Sequence, residues 1–536
     1  MDGVLAYVTD HLSLTGGVYT LLSVVGFLIT AVLVWHVVDY YRDPWDLRRF
    51  PAPSIAGFSS SWVMYHCWHK NRTLSVEAVH DRLGDIVRIQ PDHVSFASGD
   101  AIEEIHGHGK AMMKSPFYDT LKAPTQVPSM FDSRDRVEHG LKRKYVAHVF
   151  APKTVKDLEF VVDDNTKTLL DIMDRFAAEK EAQWVDLLVW MRLYALDIIA
   201  DLGFGHKANC LKSGNDMMEA EWFNSGKRYK ISAVKGIYEG GAYNVLWGQS
   251  PSWMWLTKAL TCWTQGRFYA DGFYNVSHAL TKLRVPQEDV EAMEKSRRKD
   301  LMQRLLVDRK GSSMNLEYDE LVAEAAVLMV AGSDTSGTGL INTLIYLVQN
   351  PACMAKARAE VDAAVPADAV VVRYPDVEGL PYLRACIDES LRLRPPNAYG
   401  LPRTVPKGGA TIRGHYLKEG TTVSVSTLNV HHCERYFHDA QSFQPERWLK
   451  KDTDEYENLK KYVVPFSFGS RACIGRNVAF LELQVTIASI IHRFDLAMKD
   501  PDKPVPMIER FNTNPAHFWI KIRPRSTTSP QLQKLP

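Results

Sequence analysis

A mainly helical chain carried behind one membrane-spanning helix is the architecture this sequence predicts, and three stretches predict it. From Gly16 to Val38 there is no Lys, Arg, Asp or Glu, and Val, Leu, Ile and Phe dominate; that is enough length for a helix to cross a bilayer. Residues 319–350 carry the longest helical pattern of the soluble part. A third stretch, Phe466 to Gly475, ends where Ala479, Leu483, Ile487 and Ile490 follow at steps of four, four and three, the apolar stripe of a helix.

The amino-terminal span reads as a membrane anchor. A cleaved signal peptide would have a basic start and a small-residue cleavage site, whereas this start carries Asp2 and Asp10. Arg42, Arg48 and Arg49 follow the span and no Lys or Arg precedes it, which places the bulk of the chain in the cytosol. Trp35, Tyr40, Tyr41 and Trp45 suit the interface, and Pro44, Pro51 and Pro53 stiffen a short connector. The expected layout is a short lumenal terminus (1–15), an anchor (16–38), a proline-containing hinge (39–60), one catalytic domain (61–525) and a disordered tail (526–536). With the anchor placed this way, the sequons at Asn71 and Asn275 face away from the lumen and are read as unmodified.

A length of 536 residues would suggest three or four domains. No linker, internal repeat or low-complexity run divides the chain after its first sixty residues, so one large domain is expected. The formal net charge of +1, from 64 basic and 63 acidic residues, leaves no basic field to hold nucleic acid. Seven cysteines, odd in number, scattered and without C-x-x-C spacing, argue against a disulfide framework or zinc site.

Cys473 lies between Gly469 and Gly475 just before a helix start. Gly469 can take backbone angles closed to other residues, and Gly475 lets another group approach the backbone. The positive end of the helix would favour thiolate over thiol. A sulfur held this way suits iron, whereas a lone cysteine elsewhere packs as a small hydrophobe. The pattern Phe466-x-x-Gly469-x-Arg471-x-Cys473-x-Gly475 resembles the haem-ligand signature of the cytochrome P450 family at every fixed position. The resemblance implies a cytochrome P450 fold, mainly α with a smaller β region, preceded by one transmembrane helix. It also implies haem b on Cys473 and oxygen activation. NADPH would supply electrons indirectly, through NADPH-cytochrome P450 reductase. A fungal microsomal member of this kind would sit in the endoplasmic reticulum membrane, against membrane lipid, with its catalytic domain cytosolic and a small lipophilic or aromatic substrate.

Other positions take roles from the same resemblance. His139 and Arg143, four apart on one helix face, match the helix that holds haem propionates. Arg403 in Leu401-Pro402-Arg403, together with Arg471, matches further propionate contacts, and Phe466 belongs to the cofactor loop. Ala331-Gly332-Ser333-Asp334-Thr335-Ser336 puts poor helix formers in the middle of the long helix and resembles the distal oxygen-binding helix. There Gly332 would make room for dioxygen, Thr335 would orient protons, and Asp334 would connect the relay to solvent. The alternative is a Thr335 hydroxyl bonded back to the Ala331 carbonyl. Glu389 and Arg392 with Pro445-Glu446-Arg447-Trp448 resemble the ion network that locks the haem-side core, a folding role. Lys142 and Lys144 would present a basic face to the electron donor or simply a solvated one. Trp247, Trp253, Trp255 and Trp263 would dip into the membrane surface or pack in the core.

On substrate, Gly107-His108-Gly109, Lys114-Ser115-Pro116-Phe117-Tyr118-Asp119, Phe131-Asp132-Ser133-Arg134-Asp135-Arg136 and the run Leu401 to Gly409 look like the fungal benzoate para-hydroxylase branch. Lys110-Ala111-Met112-Met113 is more apolar than a small carboxylate pocket requires, and the Trp-rich stretch would widen the channel. A tailoring hydroxylase of a fungal secondary-metabolite pathway, acting on a polyketide or terpenoid, is therefore the second expectation. A haem-thiolate isomerase or dehydratase working without a reductase is the third, against which Gly332, Asp334 and Thr335 argue.

Overall fold

The computed structural model describes residues 2–122, 125, 127–179, 183–284, 300–306 and 316–525, with side chains from Val18 onward except at 255 and 284. The expected tail, Pro124 and the Trp255 side chain lie outside the described residues. Helix α1, Asp2–Arg42, runs unbroken through both the expected lumenal terminus and the anchor. Its part Val18–Arg42 spans 25 residues, and its most apolar window, of mean hydropathy 2.4, has no buried residue; the protein meets the helix near its end, where Tyr40 stacks on Phe58, so the only medium that can cover the rest of its apolar surface is external.

The helical body is built around α6 (Tyr318–Gln349), which packs on α3 (Leu187–Phe204), α5 (Gln265–Arg284), α7 (Pro381–Leu393) and α8 (Arg476–Arg493). Leu340, Ile341, Leu344 and Ile345 of α6 and Leu483, Ile487 and Ile490 of α8 are buried in one core, each worth about 1.5–3 kcal/mol of transfer free energy. The sequence stripe on α8 is therefore the face that meets α6. Gly339 allows that approach, since a Cβ there would come within 3.2 Å of Leu483.

The smaller β region is a five-stranded sheet in the order β1 (Ile86–Gln90), β2 (His93–Phe96), β5 (Thr422–Val425), β4 (Arg403–Thr404), β3 (Met113–Lys114). Strands β2 and β5 run parallel, with Val94 opposite Val423, and the other pairs are antiparallel. The register sets Arg403 between Val423 and Lys114. Two further helices, α2 (Arg136–Val146) and α4 (Ala233–Trp247), and a hairpin of β6 (Met507–Glu509) and β7 (Thr513–Pro515) close over α6. Asp135 caps α2, its carboxylate accepting from the Glu138 amide at 2.7 Å.

The Glu389 network is fully closed. Arg392 donates to both Glu389 oxygens, at 2.9 and 2.8 Å, Arg447 Nε to Oε1 at 2.9 Å, and Trp448 Nε1 to Oε2 at 2.9 Å. The remaining Arg392 donors reach the His431 and Ala440 carbonyls at 2.6 and 2.8 Å. Glu389 and Arg392 are both 0% exposed, unlike the exposed i,i+3 pair that the spacing alone would suggest.

Candidate active site

The Cys473 loop folds back on itself. The Cys473 amide donates to the Phe466 carbonyl at 2.8 Å, and Ser467 and Gly469 both take positive φ, 60° and 73°. At Gly469 a Cβ would lie 1.9 Å from the His106 carbonyl oxygen, so only glycine fits. At Gly475 the φ is ordinary, −79°, and a Cβ would be 3.9 Å from Cys473 Sγ, so nothing within the chain requires glycine there, although Gly475 borders the cavity. Arg143 Nη1 donates to the Ala472 carbonyl at 2.8 Å, and Arg471 Nη1 to the Ser133 carbonyl at 2.6 Å. Both arginines therefore tie the loop to α2 and the residues before it.

Cys473 is enclosed by the fold yet its side chain is accessible, because the sulfur faces a cavity of about 400 Å³. Burial pushes the thiol's pKa up, while the amides of Gly475 and Arg476 and the charges of Arg143 and Arg476 pull it down. The helix end acts in the expected direction, but desolvation outweighs it.

The facing wall is the middle of α6. Ala331 is exposed and Gly332 and Thr335 half-buried although buried residues flank them, because all three border the cavity. Thr335 Oγ1 donates to the Ala331 carbonyl at 2.5 Å, so its lone pairs are the part left for another group. Gly332 has a packing reason the sequence did not reveal: a Cβ would approach Ile199 Cδ1 of α3 to 2.4 Å. Asp334, 8% exposed, turns away from solvent. Its oxygens accept from Asn512 Nδ2 at 2.7 Å and Asn514 Nδ2 at 2.8 Å, and Asn514 also reaches Thr338. The two asparagines belong to the β6–β7 hairpin and carry no local motif.

At one end of the cavity cations gather, and Asp132 and Asp135 act on Lys114 and Arg471 from beyond ion-pair distance. Lys114, Arg403 and His139 are buried, and His106, His139, Lys114 and Arg471 line the cavity. Among the described residues, no ion pair holds Lys114, Arg403 or Arg471, and His106 Nδ1 has no hydrogen-bond partner. Arg403 Nη1 reaches only Tyr118 Oη at 3.2 Å and nearby carbonyls. Lys114 donates to the Phe131 carbonyl and lies 4.3 Å from the Tyr118 and Phe131 rings. Burial, then the neighbouring positive charges, hold His139 down at about 3, Lys114 well below its usual value and Arg471 down at about 10. Like charges facing each other across a strand pair, as Lys114 and Arg403 do, are destabilising unless an anion joins them. In the sequence Lys114 stands only in the stretch that looks like the benzoate branch and His106 in no motif, because only the sheet register and the close approach of His106 to the loop bring them here.

Three expectations change. Lys142 is buried and ion-paired with Glu320, so it is neither a donor-docking nor a solvated residue. Lys110 to Met113 lie outside the cavity lining and do not shape it. The described tryptophans of 247–263 also stand outside the lining; Trp253 is 49% and Trp263 83% exposed, which removes core packing for those two and any widening of the channel.

A cytochrome P450 family model matches residues 56–522. The chain belongs to the cytochrome P450 family. The cytochrome P450 is 31% identical over 514 residues, 94% of this chain and 98% of the relative, to a benzoate 4-monooxygenase of Aspergillus niger. It is 32% identical to the cytochrome P450 monooxygenase prhB of Penicillium brasilianum, over 89% of this chain and 93% of that one. A crystal structure of another cytochrome P450, 21% identical, superimposes with a TM-score of 0.69 over 89% of this chain and 99% of that one. The chain is a monooxygenase of this family, whose cofactor is haem. The donor set fits such a group, for a cavity with an open thiol at its base and unpaired cations at one edge suits an iron centre with acidic substituents.

Proposed function

We propose that this cytochrome P450 inserts one oxygen atom of O2 into a lipophilic or aromatic substrate, and that a benzoate-like acid, hydroxylated at the para position, is that substrate. Haem b, bound through Cys473, would supply the oxygen-activating chemistry, with electrons from NADPH passed on by NADPH-cytochrome P450 reductase. Lys114, Arg403, Arg471, His106 and His139 would hold the propionates, and Phe466 would flank the loop; the lack of an ion pair at Lys114, Arg403 and Arg471 among the described residues, with only Asp132 and Asp135 nearby, supports the assignment. Arg143 would steady the ligand loop through the Ala472 carbonyl.

Thr335, its proton committed to Ala331, would accept a hydrogen bond from a group in the cavity, and Gly332 would keep the helix close on α3. Asp334, held by Asn512 and Asn514, borders the cavity beside Thr335, so it would meet a proton path from the cavity side rather than from bulk solvent. The α1 helix would anchor the enzyme in the endoplasmic reticulum membrane, with exposed Trp253 and Trp263 on a lipid-facing surface.

The observation that carries the substrate reading is an apolar cavity facing Cys473 in a chain similar to a benzoate 4-monooxygenase over nearly its full length. Benzoate added to the ferric enzyme should shift the haem absorbance, and turnover with the reductase and NADPH should give the para-hydroxy acid. No shift at saturating benzoate would turn the assignment to a tailoring hydroxylase of a secondary-metabolite pathway.

A further inference from the structure

A further cation borders the cavity. Arg510 sits at the turn between β6 and β7, where its amide donates to the Asn512 carbonyl at 2.8 Å, and it borders the cavity beside Phe511 and Asn512. The turn is fixed from both sides. Glu509 accepts from Thr73, Asn397 donates to Asn512 Oδ1 at 2.9 Å, and Asn512 in turn donates to Asp334. The guanidinium is therefore delivered to its position by the backbone rather than by a mobile loop.

What the guanidinium meets there is incomplete. Its carbon lies 4.4 Å from the Tyr238 ring centre, and Arg192 stacks on the same ring at 4.5 Å. Among the described residues Nε and Nη1 of Arg510 have no hydrogen-bond partner and are closed off from solvent, so a ligand in the cavity reaches them only when the guanidinium turns toward it. Nη2 has one acidic neighbour, Glu239 at 3.8 Å, and that carboxylate is engaged by Lys70 at 3.2 and 3.3 Å. Asp334, the other nearby acid, is occupied by Asn512 and Asn514. Elsewhere the cavity lining includes Ile237, Phe273, Leu301 and Leu305, whose side chains offer no acceptor. Cation–π stacking on Tyr238 covers a face of the guanidinium but leaves its in-plane donors unused, and a buried donor without a partner is costly.

We propose that Arg510 is the anchor for an organic carboxylate, holding the acid group of the substrate against the β6–β7 turn while the rest of the molecule lies in the apolar cavity. The proposal rests on the reading of this cavity as the substrate site and narrows the substrate to acids. An arginine suits the task because its charge persists at every working pH and its donors match a carboxylate's acceptors. The basic end of the cavity is no competitor, since its cations are assigned to the cofactor's own acids.

The test uses the haem-loaded, full-length enzyme and two matched pairs of ligands, benzoate with benzamide and 3-phenylpropanoate with its amide, titrated by the ferric haem absorbance. The wild type should bind at least one acid about tenfold or more tighter than its amide, the size expected for a charge-assisted hydrogen bond. Arg510→Met should erase that preference while leaving amide affinity within about twofold, and Arg510→Lys, which keeps the charge, should retain part of it. Equal acid preference in wild type and Arg510→Met would overturn the anchor while leaving benzoate as a substrate. Binding of 3-phenylpropanoate, but not benzoate, in an Arg510-dependent way would support the anchor and reject benzoate itself. If Arg510→Met does not incorporate haem, undiminished acid preference in Arg510→Gln, or no acid preference in the wild type, overturns the proposal.

Discussion

The two charged regions of the molecule are built on opposite terms. Around Glu389 both carboxylate oxygens and the guanidinium of Arg392 have partners within the chain, in a region with no access to solvent. Around Lys114, Arg403 and Arg471 the cations face one another with no ion pair among the described residues, and the pKa values of Lys114 and Arg471 fall while Arg403 donates to carbonyls. A closed network is complete once the chain has folded. An open one leaves charge for something other than the chain to meet, and on the proposed reading the same residue type serves as scaffold in one place and as receptor in the other.

Breaking the closed side should have the largest effect. Glu389→Gln leaves two buried guanidinium groups without their shared charge, a loss of about 3–5 kcal/mol. A sharp drop in soluble, haem-loaded protein and in its thermal midpoint is expected, and an unchanged midpoint would show that the network is dispensable. On the open side the balance reverses. Lys114→Met removes one of two like charges that face each other, so the thermal midpoint should change little, whereas haem loss to an excess of acceptor protein should quicken by about tenfold. Equal damage to both readouts would make Lys114 part of the scaffold instead.

Thr335→Ala separates packing from chemistry within α6. The hydroxyl bonds only to Ala331 in its own helix, so haem and substrate binding should persist while NADPH use yields more peroxide and less product. Product formed in full proportion to NADPH would remove Thr335 from the proton path.

The smallest effect is a pH dependence on the closed side. His431 is buried and neutral, one ring nitrogen meeting the Arg392 carbonyl at 2.9 Å and the other accepting from the Val464 amide at 3.1 Å. Burial holds its pKa down at about 3 against the usual 6.5. Between those values the unfolded chain binds the proton and the folded one does not, so this group's contribution is intact above pH 6.5 and declines as pH falls. The stability gap between the wild type and His431→Asn, read from urea midpoints, should narrow from pH 7 to pH 5. A constant gap would mean that His431 is protonated in the fold.

How much of this the sequence carried follows the reach of each interaction. The Cys473 loop, the helix over 319–350 and the Glu389–Arg392 pair are legible because their residues lie within a few positions of one another. Asn512 and Asp334 are 178 residues apart, as are Lys142 and Glu320. Neither pairing leaves a local trace, so the sequence shows Lys142 only as one of a run of helix lysines and gives no sign of the partners of Asp334. Lys114 and Arg403 become neighbours only through the register of a two-residue strand. Arg510 has no motif at all, and its unused donors appear only when the hairpin is placed against α4 and α6.

The most direct test of the account is the reduced, carbon-monoxide-bound spectrum of Cys473→Ser beside the wild type. If Cys473 is the cofactor's ligand, the wild type shows the thiolate-type band and the variant loses both that band and all monooxygenase activity. A variant that retains the thiolate-type band would contradict the assignment of Cys473, and with it the site built around the cavity.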